Sequence, residues 1–324
     1  MGMLIEGRWT EEEGPSALRN KKGEYLRAES VFRDSITADG SSGFPAAAGR
    51  YHLLLAHGCP WAHRTHICRD LMGLQEVVGV SFAEARRSAE GWWYREGLDD
   101  FQPENGALPL HRFYSASDPA GTSRVTTPTL WDRERRRVVN NESSEIIRML
   151  GREFGAFSES ALDLYPEPLR PEIDAVNAIV YRDINNGVYR CGFAGSQQAY
   201  GDAFAALFKA LDEMEARLER HRYLAGPTLT EADLRIFPTL VRFDPVYYSH
   251  FKCTLRRIAD YPNLSNYLRD LYRIPAFGPT VNVELYKQGY YGNSARLNPS
   301  GIVPIGPELH YDAPHDRATR NYGG

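Results

Sequence analysis

The sequence predicts an α/β domain followed by an all-α domain, and three observations carry that prediction. The apolar run Tyr51–Ala56 leads into a helical pattern that begins at Cys59-Pro60, and a second apolar run, Val77–Phe82, follows it; this is the order of a βαβ unit. Two short arms flank the charged run Arg133–Arg137 as a hairpin candidate. From about Pro171 the apolar residues recur at helical spacing. At 324 residues the chain has room for two domains, each with its own core.

Taken in order, residues 1–48 are mixed and rich in Gly, Ser and Glu, and read as an extension with little regular structure of its own. The first domain spans 49–155. Its opening strand is Tyr51–Ala56. Pro60 suits the first position of a helix, Ile67, Leu71 and Leu74 have helical spacing, and Gly73 ends the helix after Met72. Val77–Phe82 is the next strand. Residues 84–123 show no clear period; so long an irregular insert is uncommon in a compact domain and is often functional. Thr126–Asp132 and Arg137–Asn140 form the hairpin, with the charged run as a solvated turn. Asn141–Leu150 is a helix entered through a polar cap.

The helical domain spans 156–285. Ile173, Val176, Val180 and Ile184 mark one apolar stripe. Phe204, Leu207, Leu211, Met214 and Leu218 mark a second, with Asp212, Glu213, Glu215 and Arg217 facing out. Thr230 and Asp233 have capping-box spacing at the head of another helix, with Asp in place of the usual Glu. Pro262–Tyr272 is a further helix. Residues 286–324, rich in Gly, Pro, Tyr and Asn, read as a loop-rich tail that is ordered, because it carries too many aromatics for disorder.

Composition narrows the function. Hydrophobic content of 42% and charged content of 25% are those of an ordinary soluble globular protein. The net charge of −4, with both signs spread along the chain, gives no electrostatic case for nucleic acid. No apolar run approaches the ~20 residues of a membrane span, and Glu6 in the stretch Met1–Arg8 speaks against a secretory signal. The four cysteines, at 59, 68, 191 and 253, match neither a zinc pattern nor a disulfide framework, which points to a reducing, cytoplasmic setting. His52, His57, His63 and His66 have no established metal-ligand spacing, and no metal is expected.

Cys59 is the residue that carries chemistry. The order strand, Cys-Pro-x-x, helix, strand, then Thr-Pro entering a hairpin, then a capped helix, is the layout of a thioredoxin-like domain. A cysteine at a helix N-terminus lies where free N–H groups and the helix dipole favour its anion, and His57, His63 and Arg64 stand nearby to add positive charge. A redox dithiol would have its second cysteine where Ala62 stands, so no disulfide can close within this motif. The thiolate must then form a mixed disulfide with a small thiol, glutathione being the usual cytosolic one, for a second thiol to resolve. The fold context raises the expectation that Thr127–Pro128 is cis. Asn141-Glu142-Ser143 opens a helix whose N–H groups and hydroxyl suit a carboxylate, with Glu142 placed for an amino group.

Several stretches together resemble the glutathionyl-hydroquinone reductases, also called Xi-class glutathione transferases. They are Cys59–Thr65 (CPWAHRT), Arg124–Asp132 (RVTTPTLWD), Asn141–Arg148 (NESSEIIR), Asn185–Ala194, Leu229–Arg235, Val241–Tyr247, His250–Cys253 and Asn298–Pro307. The resemblance covers nearly everything from about residue 30 to 315. It implies a thioredoxin-like domain followed by a helical glutathione-transferase domain, assembled as a homodimer. It also implies reductive removal of glutathione from glutathionyl-hydroquinones, aromatic conjugates. By position it puts the catalytic cysteine on Cys59 and the glutathione contacts on Trp92, Arg124, Thr127, Glu142 and Ser143. Two substrate-side tyrosines fall on Tyr189 and Tyr290, Tyr247 lines the same pocket, and the tail after residue 286 lines it too. Two positions depart from the family pattern. Thr127 stands where the family usually has Val before the proline, and Gly292-Asn293-Ser294 stands where an Arg-Ser-His stretch is common. The rival activities are a monothiol glutaredoxin-like deglutathionylase and a glutathione-binding interaction protein without turnover.

Overall fold

The structure, a computed structural model, describes residues 2–11 and 19–322. The chain divides into two compact units, Met1–Ala17 with Ala28–Leu162, and Leu18–Arg27 with Asp163–Gly324.

The first unit is built on a four-stranded sheet. Its strands are β3 (Tyr51–Ala56), β4 (Gly79–Ala83), β7 (Thr129–Asp132) and β8 (Arg137–Asn140), in the order β4-β3-β7-β8. β3 runs parallel to β4 and antiparallel to β7, and β7 pairs antiparallel with β8. Every residue of β3 is buried, as its unbroken apolar run requires of a central strand. Helices α1 (Pro60–Leu71) and α3 (Ser143–Arg152) pack together, and the Cys68 thiol donates to the Ile147 carbonyl at 3.4 Å.

β4 starts two residues later than its apolar run suggests. Val77 and Val78 are spent in the turn after α1, where their N–H groups donate to the Leu74 carbonyl at 3.1 and 2.9 Å. The insert after β4 contains the short pair β5 (Trp93–Tyr94) and β6 (Leu108–Pro109), then helix α2 (His111–Ser117). Asp99 pins it to the sheet by accepting from Trp131 Nε1 at 3.0 Å and Arg133 Nε at 2.8 Å.

The described residues among the first 48 pair with the rest of the chain. β1 (Met3–Ile5) and β2 (Arg8–Thr10) form a hairpin, and Leu4 exchanges both backbone hydrogen bonds with Ser123 at 2.9 and 3.0 Å. Phe32 N donates to Asn141 Oδ1 at 3.1 Å. Pairing across more than a hundred residues leaves no local period, so composition alone reads as an extension with little regular structure of its own.

The second unit is helical: α4 (Arg170–Ile179), α5 (Gly187–Gly192), α6 (Gln197–Arg220), α7 (Glu231–Arg242), α8 (Tyr248–His250), α9 (Pro262–Tyr272) and α10 (Val283–Gly292). Both apolar stripes face its core; Ile173, Val176, Val180, Ile184, Leu207, Leu211, Met214 and Leu218 are fully buried. Glu215 does not simply face out. Its carboxylate accepts from Asn263 N at 2.8 Å and Leu264 N at 2.7 Å, capping α9. Two stretches open into π-helix, Val180–Asn185 and Phe243–Tyr247.

α10 carries the chain helically to Gly292, where a loop-rich stretch was expected from residue 286. Asn282 caps it by accepting from Leu285 N at 3.1 Å, and its Gly and Tyr content hides its period. The remaining tail has no regular structure yet is anchored by buried Arg317, which donates to the Leu218 carbonyl at 3.1 Å and the Arg222 carbonyl at 2.6 Å. Among the described residues no helix is long and apolar enough to cross a membrane.

Candidate active site

In the first unit the site begins at Cys59. Its backbone is extended (φ −84°, ψ 116°), so it is the N-cap of α1, with Pro60 at the first helical position. Ala62 N–H donates to Sγ at 3.5 Å, and the thiol donates to the Thr127 carbonyl at 3.2 Å. Thr127–Pro128 is cis. Cys59 is half-buried and free, while Cys68, Cys191 and Cys253 are buried. Burial pushes the Cys253 thiol up, and Cys191 is its hydrogen-bond partner, so neither is placed as a nucleophile.

The basic side chains near Cys59 in sequence have partners of their own. Arg64 is fully buried, its Nε and Nη2 donate to Ser143 Oγ at 3.0 and 2.7 Å, and its guanidinium lies 4.7 Å over the Trp61 ring. His57 stacks on Phe82 with ring centroids 4.1 Å apart, and His66 meets the same ring edge-on. His52 faces Ser81 Oγ at 2.9 Å, and burial lowers its pKa to about 4.

At the head of α3 the cap is Glu142 itself. Its Oε1 accepts from Ser144 N at 3.1 Å and Ser144 Oγ at 2.9 Å, and its Oε2 accepts from Ser30 Oγ at 3.1 Å. The Ser143 hydroxyl, expected at the cap, is instead the acceptor for Arg64. Trp92 and Cys59 pack against one cluster of buried side chains that includes Tyr94, Leu108 and Trp131. Gly91, just before Trp92, has φ +82°, and a Cβ there would sit 2.9 Å from the Trp9 ring, so this turn needs glycine. Arg87 lies 5.2 Å over the Trp92 ring. Arg124 is half-buried, three residues ahead of Thr127 and next to Ser123, whose backbone pairs with Leu4. Thr127 Oγ1 is buried and has no hydrogen-bond partner among the described residues.

In the second unit three tyrosines meet. Tyr290 Oη lies 2.6 Å from Tyr189 Oη and 2.8 Å from Tyr247 Oη. Each phenol comes from a different element: Tyr189 from α5, Tyr247 from the end of a π stretch, Tyr290 from α10. A π segment also precedes α5, so irregular helix helps set the position of two of the three. Tyr189 and Tyr290 keep part of their surface open, whereas Tyr247 is completely buried. Burial raises the Tyr290 phenol well above 10, the neighbouring Tyr189 and Tyr247 add to this, and Arg242 opposes it.

Two parts of this cluster escaped the sequence reading. Phe251 packs 5.4, 5.4 and 5.7 Å from the rings of Tyr189, Tyr247 and Tyr290. Tyr25 lies 6.4 Å from Tyr189 and 5.5 Å from Phe193. Nothing local marks Tyr25, which lies in a polar stretch whose composition reads as an extension. The structure thus brings Cys59 together with Thr127, and Tyr189 together with Tyr290 and Tyr247.

The chain matches two family models, one described as "Glutathione S-transferase, N-terminal domain" over residues 58–153 and one as "Glutathione S-transferase, C-terminal domain" over 197–270. It is 48% identical to "Glutathionyl-hydroquinone reductase PcpF" of Sphingobium chlorophenolicum over 309 residues, which is 95% of this chain and 96% of that protein. It is 43% identical to "Glutathionyl-hydroquinone reductase YqjG" of Escherichia coli (strain K12) over 331 residues, 99% of each. The glutathione-bound structure of YqjG superposes with a TM-score of 0.88 at 41% identity, covering 99% of this chain and 100% of that one. A Xi-class glutathione transferase from Natrialba magadii also gives 0.88 at 40% identity, covering 98% and 97%.

Proposed function

The chain belongs to the glutathionyl-hydroquinone reductases, the Xi class of the glutathione transferases, and from that premise we propose how its own residues divide the work. The substrate is a glutathionyl-hydroquinone, reacting as its keto tautomer. Cys59 attacks the glutathione sulfur, an S–S bond forms, and the C–S bond breaks. The electron pair of that bond moves through the ring to the carbonyl oxygen, which takes a proton as the ring becomes aromatic. A second glutathione then attacks the mixed disulfide, releasing glutathione disulfide and the Cys59 thiolate.

The observation that carries this proposal is the Cys59 thiol, half-buried at the N-cap of α1, within hydrogen-bond distance of the Thr127 carbonyl and with Ala62 where a resolving cysteine would stand. Trp92, Arg124, the Thr127 backbone, Glu142 and the head of α3 at Ser143 bind the glutathione moiety. The phenols of Tyr189 and Tyr290 donate to the ring oxygen as charge develops there. The proposal also takes the protein to be a cytoplasmic homodimer.

The test is release of hydroquinone from its glutathione conjugate, measured with the wild type and with Cys59→Ser. The serine hydroxyl is a far weaker nucleophile than a thiolate, so turnover should fall to near background while glutathione still binds. Turnover retained in Cys59→Ser would overturn the mechanism. Turnover only on simple mixed disulfides would instead favour a monothiol deglutathionylase.

A further inference from the structure

Trp9 is a half-buried side chain to which the steps above give no role, and it stands against the turn that carries Trp92. It lies on β2, where it pairs with Leu4, and Leu4 exchanges backbone hydrogen bonds with Ser123, the residue before Arg124. The Trp9 Nε1 donates to the Ala89 carbonyl at 3.0 Å, across 80 residues of chain. Its six-membered ring covers Gly91: a Cβ on that glycine would fall 2.9 Å from Cη2 and 3.2 Å from Cζ2. The indole also stacks on His111, with ring centroids 5.0 Å apart and planes 15° from parallel. These three partners border Trp92. Ser88 and Gly91 exchange backbone hydrogen bonds at 3.0 Å, closing the turn that leads into Trp92. Leu110, the residue before His111, donates its N–H to the Trp92 carbonyl at 2.8 Å. Trp9 thus touches both stretches that fix the Trp92 backbone, and it packs with Trp92 against the same buried cluster.

The insert needs such a brace. Between β4 and α2 its only strands are the two-residue arms β5 and β6. A binding side chain carried on a loop is precise only where other groups lock its surroundings, and a loop that must be ordered on binding costs affinity. Leu at position 9 could cover the same apolar surface, but the Nε1 bond to Ala89 and the stack on His111 hold the turn from two directions. We propose that Trp9 is a positioning residue of the glutathione site: the β1–β2 hairpin holds the Gly91–Trp92 turn in the conformation in which Trp92 binds the glutathione moiety. This rests on the assignment of Trp92 as a glutathione contact in the reading above. Trp9 acts through Trp92, so its loss appears in binding and not in the chemistry at Cys59.

The test is a cycle of four proteins in the Cys59→Ser background: that parent, Trp9→Leu, Trp92→Ala and the double variant, with Trp9→Phe as the ring-keeping control. Glutathione affinity is read by titration calorimetry, at a temperature where melts show each protein folded. Trp9→Leu should weaken binding on the order of fivefold. Trp9→Phe keeps a ring on Gly91 and His111 and loses the hydrogen bond to Ala89, so it should cost about twofold. In the Trp92→Ala background, Trp9→Leu should cost almost nothing further, because the residue it acts through is gone. With Cys59 restored, Trp9→Leu should raise KM for a glutathionyl-hydroquinone by a similar factor and leave kcat within about twofold. Unchanged affinity in Trp9→Leu, losses that add in the double variant, or a fall in kcat with KM unchanged would overturn the proposal. Should Trp9→Leu fail to fold, Trp9→Phe carries the cycle: its loss must be present with Trp92 and vanish without it. Undiminished affinity in Trp92→Ala would defeat the assignment of Trp92 itself and the proposal with it, an outcome distinct from a Trp9 effect that bypasses Trp92.

Discussion

Thr127→Val should stabilise the protein and leave its turnover intact. The Thr127 side chain is buried and its Oγ1 has no hydrogen-bond partner among the described residues, while its carbonyl is the acceptor for the Cys59 thiol. A buried hydroxyl without a partner costs about 1–3 kcal/mol in lost hydration. Valine has nearly the same shape, removes that cost and keeps the carbonyl in place. Some packing adjustment will absorb part of the gain, so the net should be about 1 kcal/mol, or a rise of roughly 2 °C in a chain of this size. The assay is a calorimetric melt beside hydroquinone release. A lower melting temperature would mean that the hydroxyl has a partner in solution. An unchanged melt with lost turnover would mean that the hydroxyl, not the backbone, meets glutathione. Either result would refute the reasoning.

Glu142→Ala and Arg124→Ala should weaken glutathione binding several-fold while sparing the chemistry, as read by titration calorimetry on the Cys59→Ser protein; unchanged affinity in both would return them to structural roles. Gly192→Ala should disturb the tyrosine cluster, because the added methyl would overlap the Phe251 ring and come within 2.9 Å of its Cβ. Overpacking of this kind costs about 1–3 kcal/mol, so the melt should drop by several degrees and conjugate turnover should fall with it. His52 sets a pH dependence of stability: burial holds its pKa at about 4 against an ordinary 6.5, so the unfolded chain takes the proton first. Stability is then complete above pH 6.5 and declines towards pH 4, by on the order of 3 kcal/mol in all. His52→Gln should flatten that decline in urea melts at pH 7 and 4.5.

What was legible in the sequence was what repeats locally or sits at a fixed offset. β3 and α1 show as an apolar run and a Pro-headed helix, and the stripes of α4 and α6 show because 3.6-residue periodicity survives in any context. What was not legible depended on distant partners. β1 takes its register from Ser123, and Tyr25 has meaning only beside Tyr189. At the candidate site, sequence order put Cys59 next to Pro60 and anticipated Thr127, because a helix N-cap and an X-Pro turn are local devices. It could not say that Arg64 would donate to the Ser143 hydroxyl. Nor could it say that Tyr247 lies behind Tyr290.

The geometry of the tyrosines ranks them. Tyr290 is bonded to both others, at 2.6 and 2.8 Å, and Tyr247 is sealed behind it. Replacing Tyr290 with Phe breaks both hydrogen bonds and removes the central donor of the cluster. Replacing Tyr189 removes one outward donor and leaves the Tyr247–Tyr290 pair able to supply its proton. Replacing Tyr247 removes only the buried end. A single donor in an oxyanion hole is worth on the order of 10²–10³ in rate. Tyr290→Phe should therefore approach that loss, Tyr189→Phe should fall near tenfold because Tyr290 remains as a donor, and Tyr247→Phe should cost least. The ranking should hold on glutathionyl-hydroquinones and collapse on a simple mixed disulfide, where a sulfur leaves and no ring oxygen gathers charge. Equal losses at Tyr189 and Tyr290 would mean two donors of equal weight and would refute the ranking. Equal losses on the two substrates would place the cluster in support of the fold and take it out of the chemistry.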